Sequence, residues 1–229
     1  MRLYIIRHGQ STNNALADPR DRVQDPDLTP LGHEQARLLA EYLRSDRRDP
    51  KAWGDPPITR LFCSPMRRAL QTAQPLGEAL GLRPEVWVEI HESGGIYLDH
   101  GEHGGVMGYP GMTRQEILQE FPDYVLPEAV TERGWWDGEK EDWPACQARA
   151  IRVAQQLLQW TDLDEHVALV SHGGFIDALI KALLNQLPGQ HVFYHHANTG
   201  VTRIDLQPEG YLDLRFLNRV DHLPISHIT

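Results

Sequence analysis

Two arginines and two histidines of this 229-residue chain could together bind and transfer a phosphoryl group. Arg7 and His8 follow one apolar run, Arg68 follows a second, and His172 follows a third. Guanidinium groups match phosphate oxygens with pairs of hydrogen bonds. A neutral imidazole nitrogen is a competent nucleophile near pH 7. If the loops that carry these residues converge, they form a local anion site.

Glycines and small polar residues accompany these four side chains. Gly9 and Gly173 leave room for the backbone to approach phosphate oxygens, and a helix beginning after His172 would add N–H donors. Neutral hydrogen bonds could come from Gln10, Ser11 and Asn14. We therefore include Asn14 and Gly173 among the expected phosphate-binding residues.

The elements that must position these residues alternate between strand and helix. Apolar patterns predict strands at residues 3–6, 58–63, 86–92 and 167–170. Helices are predicted from 30 to about 45 behind a Thr29 cap, after residues 64–65, and at 113–121, 145–160 and 175–184. A terminal hairpin is expected from 201–206 and 211–217 around residues 208–210.

This alternation predicts an α/β fold, a three-layer α/β/α sandwich on a mainly parallel sheet. Ligands of such sheets bind at the carboxyl ends of the strands, where the four candidate side chains would meet. We treat residues 1–229 as a single domain. Residues 93–143, rich in Gly, Pro, Trp and acidic residues, are predicted to form an inserted lid.

Four ordered blocks carry a family resemblance. They are Arg7-His8-Gly9-Gln10-Ser11 with Asn14, Leu28-Thr29-Pro30-Leu31-Gly32 with Gln35-Ala36, residues 64–73 around Arg68, and Val170-Ser171-His172-Gly173-Gly174. These blocks resemble the histidine phosphatase superfamily, also called phosphoglycerate mutase-like. The resemblance covers most of residues 3–92 and 145–217, whereas 93–143 has no match.

The resemblance implies a role for each matching residue. His8 would be the nucleophile, and Arg7, Arg68 and His172 would hold the phosphoryl group, with Asn14 as a lesser contact. Arg68, rather than Arg67, aligns with the family's arginine. The family also uses a carboxylic acid after the third strand to protonate the leaving oxygen. Glu92 is favoured for that role by its spacing and Glu89 is the alternative.

A cofactor-independent phosphatase acting on small phosphomonoesters through a phosphohistidine is the function that the resemblance implies. The arginines and His172 would neutralise the charge that a metal ion neutralises in other phosphoryl-transfer enzymes, so we expect no metal or other cofactor. The alternatives are a phosphoglycerate mutase and a binding module that has lost turnover. Residues 92–97, Glu-Ser-Gly-Gly-Ile-Tyr, lack the mutases' Glu-Arg-His-Tyr-Gly stretch, which argues against a mutase.

Several other residue groups have simpler interpretations. The spacing of His100, His103, His191, His195 and His196 fits neither a zinc finger nor HExxH, so we assign them surface or packing roles. Trp135-Trp136 are expected to cover the core, with a substrate cavity as the alternative. The acidic residues of 93–143 would disfavour strongly anionic substrates such as bisphosphates.

Charge and cysteine usage limit the partners and the compartment. The net charge of −10 disfavours binding to nucleic acid or an anionic membrane surface. No apolar stretch is long enough to span a bilayer, and the N-terminus has no signal-peptide pattern. Cys63 and Cys146 are expected to be reduced thiols. We expect a soluble cytoplasmic enzyme, and an apolar or aromatic strip exposed in 93–143 would favour a homodimer.

Overall fold

A computed structural model describes residues 1–44, 57–101, 104–161, 163, 165–189, 191–207 and 209–229. The strands are β1 (Arg2–Arg7), β2 (Arg60–Cys63), β3 (Glu85–Val86), β4 (Tyr97–Asp99), β5 (Val106–Gly108), β6 (His166–Ser171), β7 (Val201–Leu206) and β8 (Leu212–Arg219). The α-helices are α1 (Pro30–Leu43), α2 (Arg67–Leu80), α3 (Arg114–Glu120), α4 (Trp143–Gln159) and α5 (Gly173–Leu183).

Six strands form the central sheet in the order β3-β2-β6-β1-β7-β8. The first four run parallel, and β7 and β8 are antiparallel to their neighbours. In register, Arg7 lies opposite Ser171 and Cys63 lies opposite Val170. The loops after β1, β2 and β6 therefore leave the sheet side by side, which is the arrangement that the candidate site requires.

Both faces of the central strand β1 are buried, as a three-layer fold demands. On β1, Tyr4 and Ile6 join an apolar cluster with residues of α1 and α2. Leu3 and Ile5 point the other way and join a cluster with residues of α4 and α5. The predicted α/β/α sandwich on a mainly parallel sheet is confirmed.

Helix caps explain where several helices begin. Thr29 accepts a hydrogen bond from the Gly32 N–H at 3.0 Å, and Pro30 occupies the first turn of α1. Thr113 and Glu116 form the predicted capping box of α3. Asp142 caps α4 by accepting from Ala145, so that helix begins before its predicted position. The expected end of α1 near 45 and the hairpin position 208 lie outside the described residues.

The predicted strand 86–92 is wrong beyond Val86. Strand β3 ends there, and Val88–Ile90 form a short 3-10 turn. Val88 packs against the cluster on the α1 and α2 side, whereas Ile90 belongs to the opposite cluster. A strand would place both residues on one face. The alternating apolar pattern thus reflects a chain crossing between two cores.

Residues 93–143 pack onto the α1 and α2 side of the molecule. Ile96, Ile117, Phe121 and Trp135 join that apolar cluster, and the Tyr124 hydroxyl donates to the carbonyl of Leu70 at 2.6 Å. Strands β4 and β5 form a separate antiparallel pair within the segment. The packing of Trp135 agrees with the expected core role. That the segment acts as a lid stays a prediction.

The two cysteines are reduced thiols in this structure, as expected from the sequence. Cys63 and Cys146 are both buried and free, and burial raises the pKa of the Cys146 thiol to about 12. No helix in the described part of the chain is long and apolar enough to cross a membrane.

Two apolar side chains of β5 are exposed. The exposed fraction is 46% for Val106 and 52% for Met107. An exposed apolar strip in residues 93–143 is the feature on which the homodimer expectation depends.

Candidate active site

The imidazole of His8 is held as a neutral ring with one defined tautomer. Its Nδ1 lies 2.6 Å from the carbonyl of Gly9, which can only accept, so Nδ1 carries the proton. Its Nε2 accepts a hydrogen bond from Nε of Arg68 at 3.1 Å. Burial, together with the charges of Arg68 and Arg7, holds the pKa of His8 well below its ordinary value. The ring therefore presents an unprotonated Nε2 at neutral pH.

Two guanidinium groups flank this ring. Arg7 Nη1 donates to the carbonyl of His196 at 2.6 Å, and Arg7 Nε is buried without a hydrogen-bond partner in the described structure. Arg68 is buried at the start of α2, and burial lowers the pKa of both arginines. One buried and one half-buried positive charge beside a neutral imidazole form a site that favours an anion.

His172 completes the group that the sequence predicted to converge. Its ring centroid lies 5.0 Å from that of His8. Its Nε2 is 2.8 Å from the hydroxyl oxygen of Ser64, and its Nδ1 is buried and unpartnered among the described residues. Burial and the nearby charge of Arg68 keep the pKa of His172 well below its ordinary value.

Glu92 lies against this cluster and Glu89 does not. The carboxylate of Glu92 accepts from the N–H groups of Ser93 at 2.8 Å, Phe175 at 3.0 Å and Gly174 at 3.3 Å. Burial lowers the pKa of Arg7 and Arg68, and the negative charge of Glu92 opposes that lowering. The N–H groups at the start of α5 were expected to bind phosphate. Those of Gly174 and Phe175 instead donate to Glu92.

Glu89 points toward the surface. Its carboxylate lies 3.9 Å from Arg152 of α4 and accepts a 3.4 Å hydrogen bond from the indole N–H of Trp87. Its side chain is 42% exposed. Of the two candidate acids, Glu92 is the one that accepts hydrogen bonds from the start of α5, directly after His172.

The neutral residues after His8 are used within their own loop. The Ser11 N–H and hydroxyl donate to Oδ1 of Asn14 at 3.1 and 3.0 Å. The Gln10 side chain accepts from the Thr29 hydroxyl at 2.8 Å. Gly173 lies against the Arg7 side chain, since a Cβ on it would be 3.6 Å from Arg7 Nε. Contact of Asn14 and Gly173 with phosphate stays a prediction.

Comparison with known proteins decides the family. The model of the histidine phosphatase superfamily (branch 1) matches residues 3–219. The chain belongs to the histidine phosphatase superfamily. It is 31% identical to a glucosyl-3-phosphoglycerate phosphatase of Mycolicibacterium vanbaalenii, over 94% of this chain and 91% of the relative. The corresponding phosphatase of Mycobacterium tuberculosis is 32% identical, over 80% of this chain and 75% of that one.

The fold of this histidine phosphatase matches solved structures. One is phosphoserine phosphatase of Entamoeba histolytica in complex with 3-phosphoglyceric acid, with a TM-score of 0.62 and 21% identity. The match covers 97% of this chain and 99% of that one. The superfamily predicted from four sequence blocks is confirmed by the match to the family model, and this structure confirms the fold.

Sequence reasoning missed the loop 196–200, which contacts the backbone of Arg7 and His8 in this histidine phosphatase. The Asn198 amide donates to the carbonyl of His8 at 2.9 Å. The Thr199 N–H lies 3.1 Å from the carbonyl of Arg7 and 3.3 Å from that of His8. Thr199 is fully buried with a φ of +58°, a strained conformation for a β-branched residue. Such strain is typical of functional sites.

Asp25 was also missed. Its carboxylate accepts from the Arg67 N–H at 3.1 and 3.2 Å and lies 3.8 Å from Nη1 of Arg68. Burial raises the pKa of Asp25 to about 6, against the opposing charge of Arg68. The residue thereby caps the start of α2 and partly balances Arg68. In the sequence, its position just before the Leu28–Gly32 block is the feature that could have marked Asp25 as a site residue.

Of the remaining histidines, His100, His191 and His195 lie at the surface. His196 is buried, with Nε2 bonded to the Thr202 hydroxyl at 2.6 Å, as the packing interpretation requires. His103 lies outside the described residues. Within those that are described, no three His, Cys, Asp or Glu side chains are grouped so as to hold a metal ion.

Proposed function

We propose that this histidine phosphatase hydrolyses small phosphomonoesters in two steps through a phosphohistidine on His8. The observation that carries the proposal is the unprotonated Nε2 of His8 beside the buried guanidinium group of Arg68 and the half-buried one of Arg7. In the first step Nε2 bonds to phosphorus while the bond from phosphorus to the ester oxygen breaks. In the second, water bonds to phosphorus, the phosphorus–nitrogen bond breaks, and inorganic phosphate leaves.

Substrate binding must free the nucleophile before the first step. The lone pair of His8 Nε2 accepts the N–H of Arg68 in this structure. A phosphoryl oxygen is a stronger acceptor than the imidazole because it is charged. We propose that Arg68 transfers this hydrogen bond to the phosphoryl group, which both binds the substrate and exposes Nε2 for in-line attack.

Glu92 handles the proton in both steps. As a protonated acid it donates to the departing ester oxygen, because an alkoxide is a poor leaving group. As a carboxylate it then accepts a proton from the attacking water. The N–H groups of Ser93, Gly174 and Phe175 stabilise that carboxylate form and fix its orientation. The acid is thereby restored for the next turnover.

The alcohol portion of the substrate is proposed to meet residues 93–143. The ring of His91 lies against Trp135 and Trp136 of this segment in tilted and edge-on contacts, with ring centroids 5.4 and 4.9 Å away. His91 directly precedes Glu92 in the chain, so these aromatic side chains contact the residue next to the proposed acid. Because the named relatives act on phosphoserine and on glucosyl-3-phosphoglycerate, these two compounds lead the panel of substrates to test.

A labelling experiment tests the proposed reaction. Brief incubation with a 32P-phosphomonoester, followed by denaturation in alkali, should leave radioactivity on the wild type and none on His8→Ala. Free inorganic phosphate and alcohol should appear in equal amounts. Equal labelling of both proteins would remove His8 from its role, and isomerisation of 3-phosphoglycerate without phosphate release would indicate the mutase alternative.

We further propose that the enzyme works in the cytoplasm. Two buried, unpaired thiols suit a reducing compartment, where disulfides are rare. Cell fractionation with an antibody to this chain would test the location, and recovery from an oxidising compartment would contradict it.

A further inference from the structure

Ser64 contacts His172 but has no part in the reaction described above. It follows strand β2, its side chain is fully buried, and its hydroxyl oxygen lies 2.8 Å from Nε2 of His172. The same oxygen accepts a 3.3 Å hydrogen bond from the N–H of Met66. These are the only two hydrogen bonds of the Ser64 hydroxyl within the described residues.

The hydrogen bonds available to the Ser64 hydroxyl show that it donates to His172 rather than accepts from it. Met66 N–H can only donate, so it uses a lone pair of the Ser64 oxygen. The hydroxyl proton then needs an acceptor, and Nε2 of His172 is the one within reach. If Nε2 carried a proton instead, the Ser64 hydroxyl proton would be buried and unsatisfied, which is costly.

Because Nε2 of His172 accepts this hydrogen bond, the single ring proton of neutral His172 must be on Nδ1. This atom is buried and has no partner in the described structure. It belongs to a ring next to His8, and the charges of Arg68 and Arg7 both reach it. A phosphoryl oxygen between these groups requires donors. A neutral imidazole has only one donor to offer.

We propose that Ser64 is a positioning residue that holds neutral His172 as the Nδ1–H tautomer, so that the ring donates a hydrogen bond to the phosphoryl group. The inference rests on the proposed function, in which His172 contacts that group. Because a third positive charge between Arg7 and Arg68 would be repelled, the site gains a donor without gaining a charge. The tautomer then decides whether His172 helps or hinders anion binding.

The tautomer can be measured directly by nuclear magnetic resonance. Two-bond 1H–15N correlation spectra of protein labelled at histidine distinguish Nδ1–H from Nε2–H rings. The His172 signals are assigned by their loss in His172→Gln. In the wild type, with and without inorganic phosphate, we expect Nδ1–H. An Nε2–H tautomer for His172 in the wild type would overturn the proposal without any variant at Ser64.

Variants at Ser64 test the functional consequence. In Ser64→Ala the Nδ1–H tautomer should lose its exclusive population, and kcat/KM should fall about 10- to 100-fold through loss of one hydrogen bond to a charged group. Ser64→Thr keeps the hydroxyl and should retain the tautomer. A Ser64→Ala enzyme with unchanged tautomer and unchanged kcat/KM would overturn the proposal.

A matched control separates positioning from general destabilisation. Ser171 is also a buried serine, next to His172 in sequence, and its hydroxyl donates to the carbonyl of Ile90 at 2.7 Å. Ser171→Ala should lower the melting temperature and leave the tautomer of His172 unchanged. If the wild type shows Nδ1–H but releases no phosphate from any phosphomonoester, the proposed function fails while the tautomer assignment stands.

Discussion

The side-chain amide of Asn198 donates to the backbone carbonyl of His8 at 2.9 Å, which ties the residue after strand β1 to the loop before strand β7. Asn198 is buried, and its Oδ1 accepts from the Thr229 hydroxyl at 3.1 Å. His8, the proposed nucleophile, is thus oriented through its backbone as well as through its ring. Small displacements of a reacting atom have large effects on rate.

Replacing the Asn198 amide should therefore slow catalysis. Asn198→Asp retains the shape and the acceptor but loses the donor, and we expect kcat to fall about tenfold or more with little change in KM. Steady-state kinetics with one phosphomonoester would measure this effect. Unchanged kcat in Asn198→Asp would show that the other contacts of His8, including the Thr199 N–H, are sufficient.

Glu92 and Glu89 form a natural pair for testing the acid. Glu92→Gln should lower kcat on an alkyl phosphate about 10²- to 10⁴-fold, because the leaving oxygen loses its proton donor. The loss should be smaller for p-nitrophenyl phosphate, whose leaving group needs less protonation. Glu89→Gln serves as the control and should have nearly wild-type kcat. A larger loss in Glu89→Gln would reverse the assignment.

Arg68 and its neighbour Arg67 allow a similar comparison. Arg68 is buried and bonded to His8, whereas Arg67 pairs with Glu120 near the surface. Arg68→Ala should reduce kcat/KM by about 10²-fold or more, as expected for loss of a donor to a charged transition state, and should weaken inhibition by inorganic phosphate. Arg67→Ala removes an arginine from the same helix and should cost far less. Equal losses would indicate damage to α2.

Stability should fall as the pH is lowered below about 6.5. Burial lowers the pKa of His91 to about 3 and the pKa values of His196 and His222 to about 4. Between these values and 6.5 the unfolded chain binds more protons than the folded one, so the free energy of unfolding rises with pH. Each group contributes about 1.4 kcal/mol per pH unit in that range. The raised pKa of Asp25 acts in the opposite direction.

Urea unfolding at pH 7 and pH 5 would measure this dependence. His222→Gln should reduce the difference between the two free energies by up to about 2 kcal/mol, since one titrating group is removed. A difference that is unchanged by the substitution would show that His222 does not titrate differently in the folded and unfolded states.

Many of the helices and strands could be predicted from local sequence patterns. Apolar runs, Pro30 after the Thr29 cap, and the Thr113–Glu116 capping box depend on neighbouring residues and appear where they were expected. The failure at residues 86–92 has a tertiary cause. Val88 and Ile90 pack into different cores there, and alternation of apolar residues cannot show that the chain crosses between two layers.

Four sequence blocks identified the superfamily by resemblance. Arg7, His8, Arg68 and His172 could be grouped from the sequence because they lie at or just beyond apolar strands, whose ends meet at one edge of a parallel sheet. Only the tertiary structure decided the contacts that orient them. Ser64 and Asn198 act through hydrogen bonds to residues far away in the chain, and Asp25 acts through hydrogen bonds to the Arg67 N–H and an ion pair with Arg68. Hydrogen bonds depend on distances of a few tenths of an ångström, and no spacing within the sequence encodes these.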